Sequence, residues 1–301
     1  MYAAKTQNPA LAAGLICIAC AFIAATTLIA KALGSDQFGP ALHPFQIVFG
    51  RFVFAFAAFA LAAALLRPNL QRPHLGLHVT RTLGGWAGLV LMFASVSYIP
   101  LADATAISFL NPVFGMIFAI PLLGERVGKW RWLAAAIAMV GALILLRPTP
   151  DSFQPAALLA LAAAVILGFE LNIIKKLTQR ENPFSILLIN NAIGVVIASA
   201  AVVWVWQGAS AAQWALLATL GLSMAVAQAC FVNAMARADA SFVAPFSYGT
   251  LIFAAGYDIL FYAVVPDGVT ILGAAVIITG AALLAWREGR RRQTEAAQPP
   301  L

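Results

Sequence analysis

Residues 10–33 read ALAAGLICIACAFIAATTLIAKAL, an apolar block whose single charge, Lys31, lies near its end. At 1.5 Å per residue a helix of that length spans about 36 Å, enough to cross ~30 Å of hydrocarbon. In lipid a backbone must satisfy its own hydrogen bonds, so the block reads as a helix. It exceeds the ~7–15-residue apolar core of a cleavable signal and is expected to remain as a first span. The same reading, carried along the chain, predicts ten spans at 10–33, 43–66, 79–98, 102–123, 130–146, 155–176, 184–206, 213–235, 240–264 and 267–286. Turn-forming residues separate many of them: Gly34-Ser35-Asp36, Arg67-Pro68-Asn69, Arg147-Pro148, Asn182-Pro183 and Pro266-Asp267-Gly268. The chain is 62% hydrophobic and 10% charged, where a soluble domain carries about a quarter charged residues. The expected fold is an all-α integral membrane protein. The short alternating segments of a β-barrel do not occur.

The net charge of +7 does not point to nucleic acid, because the basic residues sit between apolar blocks and mark orientation. One side collects Lys5, Arg67, Arg72, Arg81, Arg126, Lys129, Arg131, Lys175, Lys176, Arg180, Arg237, Arg287, Arg290, Arg291 and Arg292, whereas the other has Arg147 and Lys31. Short loops rich in Lys and Arg stay cytoplasmic, so both termini are expected inside. Asp36, Asp103, Asp151 and Asp267 then fall outside. Cys17 and Cys20 form a C-x-x-C within the first span, and Cys230 lies within the eighth. Without a redox-fold context they read as buried thiols, with no disulfide and no metal site.

The two halves resemble each other. Ala102-Asp103-Ala104 and Ala238-Asp239-Ala240 open spans four and nine, and His43-Pro44-Phe45 and Asn182-Pro183-Phe184 open spans two and seven. Gly141 to Arg147 closes span five much as Gly280 to Arg287 closes span ten. Five helices is an odd number, so a second copy enters the bilayer from the opposite face. Inverted halves around a midplane site are the architecture of secondary transporters. The expected units are residues 1–150 and 151–290 (helices 1–5 and 6–10), with 291–301 a disordered cytoplasmic tail.

Leu110-Asn111-Pro112-Val113-Phe114, Leu122-Leu123-Gly124-Glu125-Arg126 and Gly141-Ala142-Leu143-Ile144-Leu145 resemble the first repeat of the EamA family, within the drug/metabolite transporter superfamily. Ser241-Phe242-Val243-Ala244-Pro245-Phe246, Pro266-Asp267, Leu272-Gly273-Ala274-Ala275 and Thr279-Gly280 resemble its second repeat, and Arg51 in span two also fits. One departure is Val264-Val265-Pro266-Asp267, which leaves Glu125 without a counterpart and reading as a structural loop residue. The resemblance implies a transporter, most similar to bacterial amino-acid exporters, including those of aromatic amino acids. It also places spans one, three, four, six, eight and nine around a cavity, which brings in Thr26, Thr27, Trp86, Ser97 and Tyr98.

An ionisable residue at membrane depth marks function or a buried pair. Arg51 lies about 12 Å in from the outer start of span two, and Asp258 about 9 Å from the outer end of span nine. With Lys31 they form a candidate outer layer, either an ion pair locking helices or a gate; Lys31 has the further option of snorkelling to the interface. Glu170 lies near the inner third of span six, as a proton-binding group, a counter-charge for a substrate amine, or a carboxylate satisfied by amides. Asn172, Asn190, Asn191, Gln228, Asn233, Ser247 and Tyr248 share its depth. Pro112 and Pro245 fall at corresponding places in spans four and nine and loosen the carbonyls of Ser108 and Ser241. Bent helices at corresponding places point to a binding site, which adds Ser108 and Asn111. Phe45, Phe49, Phe52 and Phe56 form one stripe on span two, expected to face lipid or packing, and Trp130, Trp132, Trp214 and Trp286 read as interfacial belt.

The expected function is secondary transport of a small metabolite by alternating access in a bacterial-type inner membrane, with amino-acid export foremost. Other metabolites or drug-like compounds (nucleotide-related, a vitamin, S-adenosylmethionine-like) are the alternative. No G-x-x-x-x-G-K-[ST] is present for ATP, and no H-E-x-x-H or G-x-S-x-G for a membrane enzyme. The partners expected are a small molecule, the bilayer and candidate coupling protons, with no cofactor, no metal and no nucleic acid, in a monomer or homodimer.

Overall fold

The computed structural model describes residues 7–68, 73–96, 98, 107–147, 155, 157–262 and 267–296, and these form helices and no strand. In chain order the helices are α1 (Pro9–Leu33), α2 (Pro44–Leu66), α3 (Leu75–Val96), α4 (Asn111–Leu123), α5 (Lys129–Leu146) and α6 (Ala157–Thr178). There follow α7 (Pro183–Val202), α8 (Ala211–Met235), α9 (Ala240–Val243), a 3₁₀ segment (Ala244–Tyr248), α10 (Gly249–Tyr262) and α11 (Gly268–Ala296). Among the described residues seven stretches are long and apolar enough to cross a membrane: α1, α2, α6, α7, α8, the run Ala240–Phe261 and the first part of α11. The 13-residue α4 is apolar but shorter. Helix α11 continues to Ala296, past the position where a tail was expected.

Local chemistry sets the helix starts. Asn8 Oδ1 accepts from the Leu11 N–H ahead of Pro9, His43 Nδ1 from Phe45 N–H ahead of Pro44, and Asn182 Oδ1 from Phe184 N–H ahead of Pro183. Each cap satisfies an orphan donor, and proline in the first turn gives up an N–H that has no partner anyway. Ser210 and Gln213 bond each other's backbone N–H groups in a full capping box.

The prolines act differently from one another. Pro112 sits in the first turn of α4 rather than inside a span, because a turn at residues 109–110 precedes it. The Ser108 carbonyl there accepts from Asn111 Nδ2 at 3.0 Å. Pro245 splits the ninth span into α9, the 3₁₀ segment and α10.

Helices from one half of the chain pack chiefly on helices from the other. Helix α1 packs on α8 and α10, α3 and α4 on α6, α2 on α7 and α8, and α5 on α11. At three of these crossings, α4–α6, α2–α8 and α5–α11, the backbones come close because a glycine stands there. A Cβ on Gly168 of α6 would stand 2.8 Å from both Asn111 O and Gly115 N of α4. One on Gly221 of α8 would stand 3.0 Å from Arg51 O of α2. Small residues let backbones meet where no hydrophobic force drives helices together. Asn172 cements the first contact, its Nδ2 donating to Gly115 O and Gly168 O at 3.0 Å each.

At one end of the bundle the buried Glu181 joins the α6–α7 connection to α3. One carboxylate oxygen accepts from His74 N–H at 2.7 Å and lies 3.0 Å from His74 Nδ1, and the other lies 2.9 Å from His78 Nε2. Burial pushes this carboxyl up, but the His74 backbone N–H and the two rings outweigh it and hold it below the ordinary glutamate range. A depressed carboxyl pKa contributes stability that is present above its unfolded value, about 4.3, and is lost as pH falls through the lower folded value. Thermal unfolding in detergent between pH 6 and 3 should therefore show a steeper loss of stability below about pH 4 for the wild type than for Glu181→Gln. Gly168→Ala should cost about 1–3 kcal/mol through backbone overpacking. Gly14→Ala, with nothing within 4 Å of the added carbon, should leave the melting temperature unchanged or slightly raised.

Candidate functional site

The α3 sequence carries a polar stripe, His78, Arg81, Thr82, Gly85 and Trp86, at helical spacing of three, four, seven and eight residues. Apart from His78, which turns to Glu181, that stripe forms one wall of a cavity of about 400 Å³. The other walls bring Arg51 and Phe52 from α2, Asn111 from α4, Glu170 from α6, Asn190 from α7, Gln228 from α8 and Ser247 from the 3₁₀ segment. Ile23, Leu167, Leu171, Met224 and Phe231 supply apolar surface. Cavities of a few hundred Å³, mostly apolar with a few convergent polar groups, are the usual form of small-molecule sites.

Three ionisable groups meet there. Arg81, only 4% exposed, has its Nε 3.8 Å from Glu170 Oε1, an ion pair too long for a hydrogen bond. Gly85 lets the carboxylate lie close to α3, since a Cβ there would be 3.3 Å from both of its oxygens. Arg51 stacks over the Phe52 ring at 4.5 Å, and its charge acts on Glu170 across the cavity. Phe52 in turn lies near parallel to Trp86, with centroids 6.5 Å apart. The buried Arg51 Nε, Arg81 Nε and Nη1 and Trp86 Nε1 have no hydrogen-bond acceptor among the described residues. Polar neighbours are fixed by bonds of their own. Asn191 Nδ2 donates to Gln228 Oε1 at 2.8 Å, Ser247 Oγ to Ala244 O at 2.6 Å, and Thr82 Oγ lies 2.9 Å from His78 O and 3.2 Å from Asn190 Oδ1.

The cavity is bounded on one side by Met235 and Ala240, at the α8–α9 connection. Charges from three other elements hold that connection. Lys175 Nζ donates to Met235 O at 2.8 Å and to Ala238 O. Arg131 donates to Asp239 at 2.9 Å and to Ser241 Oγ at 2.6 Å. Glu125 accepts from Ala240 N–H at 2.7 Å and Ser241 N–H at 3.0 Å. Glu125 thus satisfies the N-terminal donors of α9.

Of the residues expected to touch substrate, Trp86, Asn111, Glu170, Gln228 and Ser247 line the cavity. Others are placed elsewhere. The Thr26 and Thr27 hydroxyls donate back to Ile23 O. Asn172 binds the α4–α6 contact, Ser108 is buried, and Tyr98 is exposed. Tyr248 is fully buried and stacks on Phe109 in a separate core cluster. Ser97 and the Asp258 side chain lie outside the described residues. Lys31 is exposed, and Arg51 lines the cavity together with Arg81 and Glu170. Of the phenylalanine stripe expected to face lipid or packing, Phe52 is buried and lines the cavity. Arg81, expected as a cytoplasmic loop charge, is a buried site residue. Its place in the α3 stripe was the signal that would have found it.

The chain resembles known proteins along most of its length. The model of the EamA-like transporter family matches residues 10–147 and again 154–286. A riboflavin transporter of Rhizobium johnstonii is 35% identical over 73% of this chain and 73% of its own. A pseudopaline exporter of Pseudomonas aeruginosa is 28% identical over 66% and 71%, and an S-adenosylmethionine uptake transporter of Rickettsia bellii 27% over 84% and 88%. One crystal structure of a protein superposes with a TM-score of 0.78 at 20% identity, covering 91% of this chain and 98% of the other, which shows the fold. With both stretches matched and a bundle of long apolar helices around a cavity, this chain belongs to the EamA-like transporter family.

Proposed function

We propose that the chain is a secondary carrier of the bacterial inner membrane that moves a small metabolite by alternating access, with the Arg51–Arg81–Glu170 cavity as its binding site. The observation that carries this reading is the cavity itself. Ionisable residues are expensive at membrane depth, and here three of them meet where helices from both halves converge. Residues 1–150 and 151–290 then act as two inverted five-helix units in a ten-span chain with both termini inside.

Contacts between the helix ends support that topology. Alternation puts Asn8 and Arg237, His74 and Glu181, Arg131 and Asp239, and Trp130 and Arg287 on the cytoplasmic face, and each pair touches. It puts Gln46 and Gln207, Phe38 and Ser210, and Arg147 and Asp267 on the outer face, and each of these touches too. The exposed Arg147 guanidinium, with Thr270, holds the Asp267 carboxyl well below its usual range. An odd number of spans between the two members of such a pair would separate them by the width of the bilayer.

For the substrate, an amino acid, aromatic ones included, suits a cavity that offers arginines, a carboxylate and the Trp86 ring. A flavin is the second reading, favoured by the riboflavin transporter at 35% identity. Purified protein in proteoliposomes, given labelled tryptophan, phenylalanine, riboflavin and S-adenosylmethionine, should accumulate or exchange at least one of them. Arg81→Gln should reduce that flux by about tenfold or more, as expected for losing a charged hydrogen bond. Flux of none of the four, with an active control carrier, would contradict the substrate reading.

A further inference from the structure

The cavity has more donors than acceptors. Arg51 Nε, Arg81 Nε and Nη1 and Trp86 Nε1 are buried without an acceptor among the described residues, and Glu170 approaches Arg81 only to 3.8 Å. Two guanidinium groups against one carboxylate leave a net positive charge inside a largely apolar wall. Buried donors without partners are costly, and charged ones more so. Guanidinium groups match carboxylate and phosphate oxygens in geometry as well as in charge.

We infer that the substrate is an organic anion whose acid oxygens bind the Arg51 and Arg81 guanidinium groups, and that it displaces Glu170 from Arg81. This deepens the proposed function and rests on it. The apolar wall of Ile23, Leu167, Leu171, Met224 and Phe231 takes the body of the molecule. The charged groups facing Glu170 are Arg51 from α2 and Arg81 from α3. Lys175, on the same helix as Glu170, is turned away to Met235 O and Ala238 O, and the cavity residues of α4, α7 and α8 are uncharged. A displaced Glu170, left in a low-dielectric site without its counter-charge, is neutralised by a proton from the aqueous side. Each anion that binds therefore brings one proton with it, and the site keeps the single net positive charge that it carries when empty.

The test is binding to the purified full chain in detergent, read as thermal stabilisation between pH 5.5 and 8. Benzoate, indole-3-acetate and succinate are compared with their amides, and phenyl phosphate with phenol; inorganic phosphate separates a free oxyanion from an organic one. At least one acid should stabilise the protein while its neutral partner does not, with affinity rising as pH falls. Arg81→Gln should weaken that binding by about tenfold or more. Glu170→Gln, which removes the competing charge, should bind the acid at least as tightly as wild type and without the pH dependence. The wild-type and Glu170→Gln measurements stand even if Arg81→Gln fails to fold. Stabilisation by neutral members as strong as by acids, by no acid at all, or by inorganic phosphate alone would overturn the inference. So would loss of acid binding in Glu170→Gln, because it would show that Glu170 does not compete with the acid for the guanidinium groups. Flux of only solutes without an acid group, such as riboflavin, in proteoliposomes would leave the carrier function standing while the assignment to an acid falls.

Discussion

Holding the buried Arg81 against the partly buried Glu170 is the constraint around which the bundle is arranged. A lone charge at membrane depth is prohibitive, and a pair is tolerable only with close geometry and further partners. Here the geometry is loose. The pair is separated by 3.8 Å, and Arg51 adds a second positive charge facing the same carboxylate. A purely structural ion pair would gain from a shorter, bidentate contact. An arrangement that holds its charges apart, beside a cavity, leaves them able to exchange partners.

The surrounding packing places these groups. Gly168 brings α6 against α4 two residues before Glu170, and Gly221 brings α8 against the backbone of Arg51 itself. Gly85 makes room for the carboxylate on α3. The Asn172 cross-link and the Asn191–Gln228 bond hold the helices that carry the site in register. At one end of the cavity, Lys175, Arg131 and Glu125 bind backbone and side-chain groups of the α8–α9 connection. These contacts come from three separate elements, so releasing that connection would break them together.

Long apolar blocks and N-caps such as His43-Pro44 and Asn182-Pro183 are local signals, legible in the sequence, and their helices begin where those signals lie. Glu170, Trp86, Asn111, Gln228 and Ser247 were legible too, because a polar residue inside an apolar span is conspicuous. Arg81 was not, because it lies one and a half turns into α3, where a charge near a span end is indistinguishable from a loop charge. The place of Arg51 depended on which helices are neighbours, and a chain read in one dimension does not contain that. Tyr248 and Asn172 have polar character at the right depth, but their faces turn into helix contacts, which only the packing decides.

The carrier mechanism requires that substrate occupy the cavity between the two halves and that each face of the membrane reach it in turn. In a background lacking Cys17, Cys20 and Cys230, a Thr82→Cys side chain would sit on the cavity wall beside Arg81. A membrane-impermeant thiol reagent, applied to either face of oriented vesicles, measures access to that position. Alternating access predicts modification that a transported solute slows, and a change in which face gives access when the solute gradient is reversed. Modification from one face alone, at a rate that no transported solute alters, would contradict it.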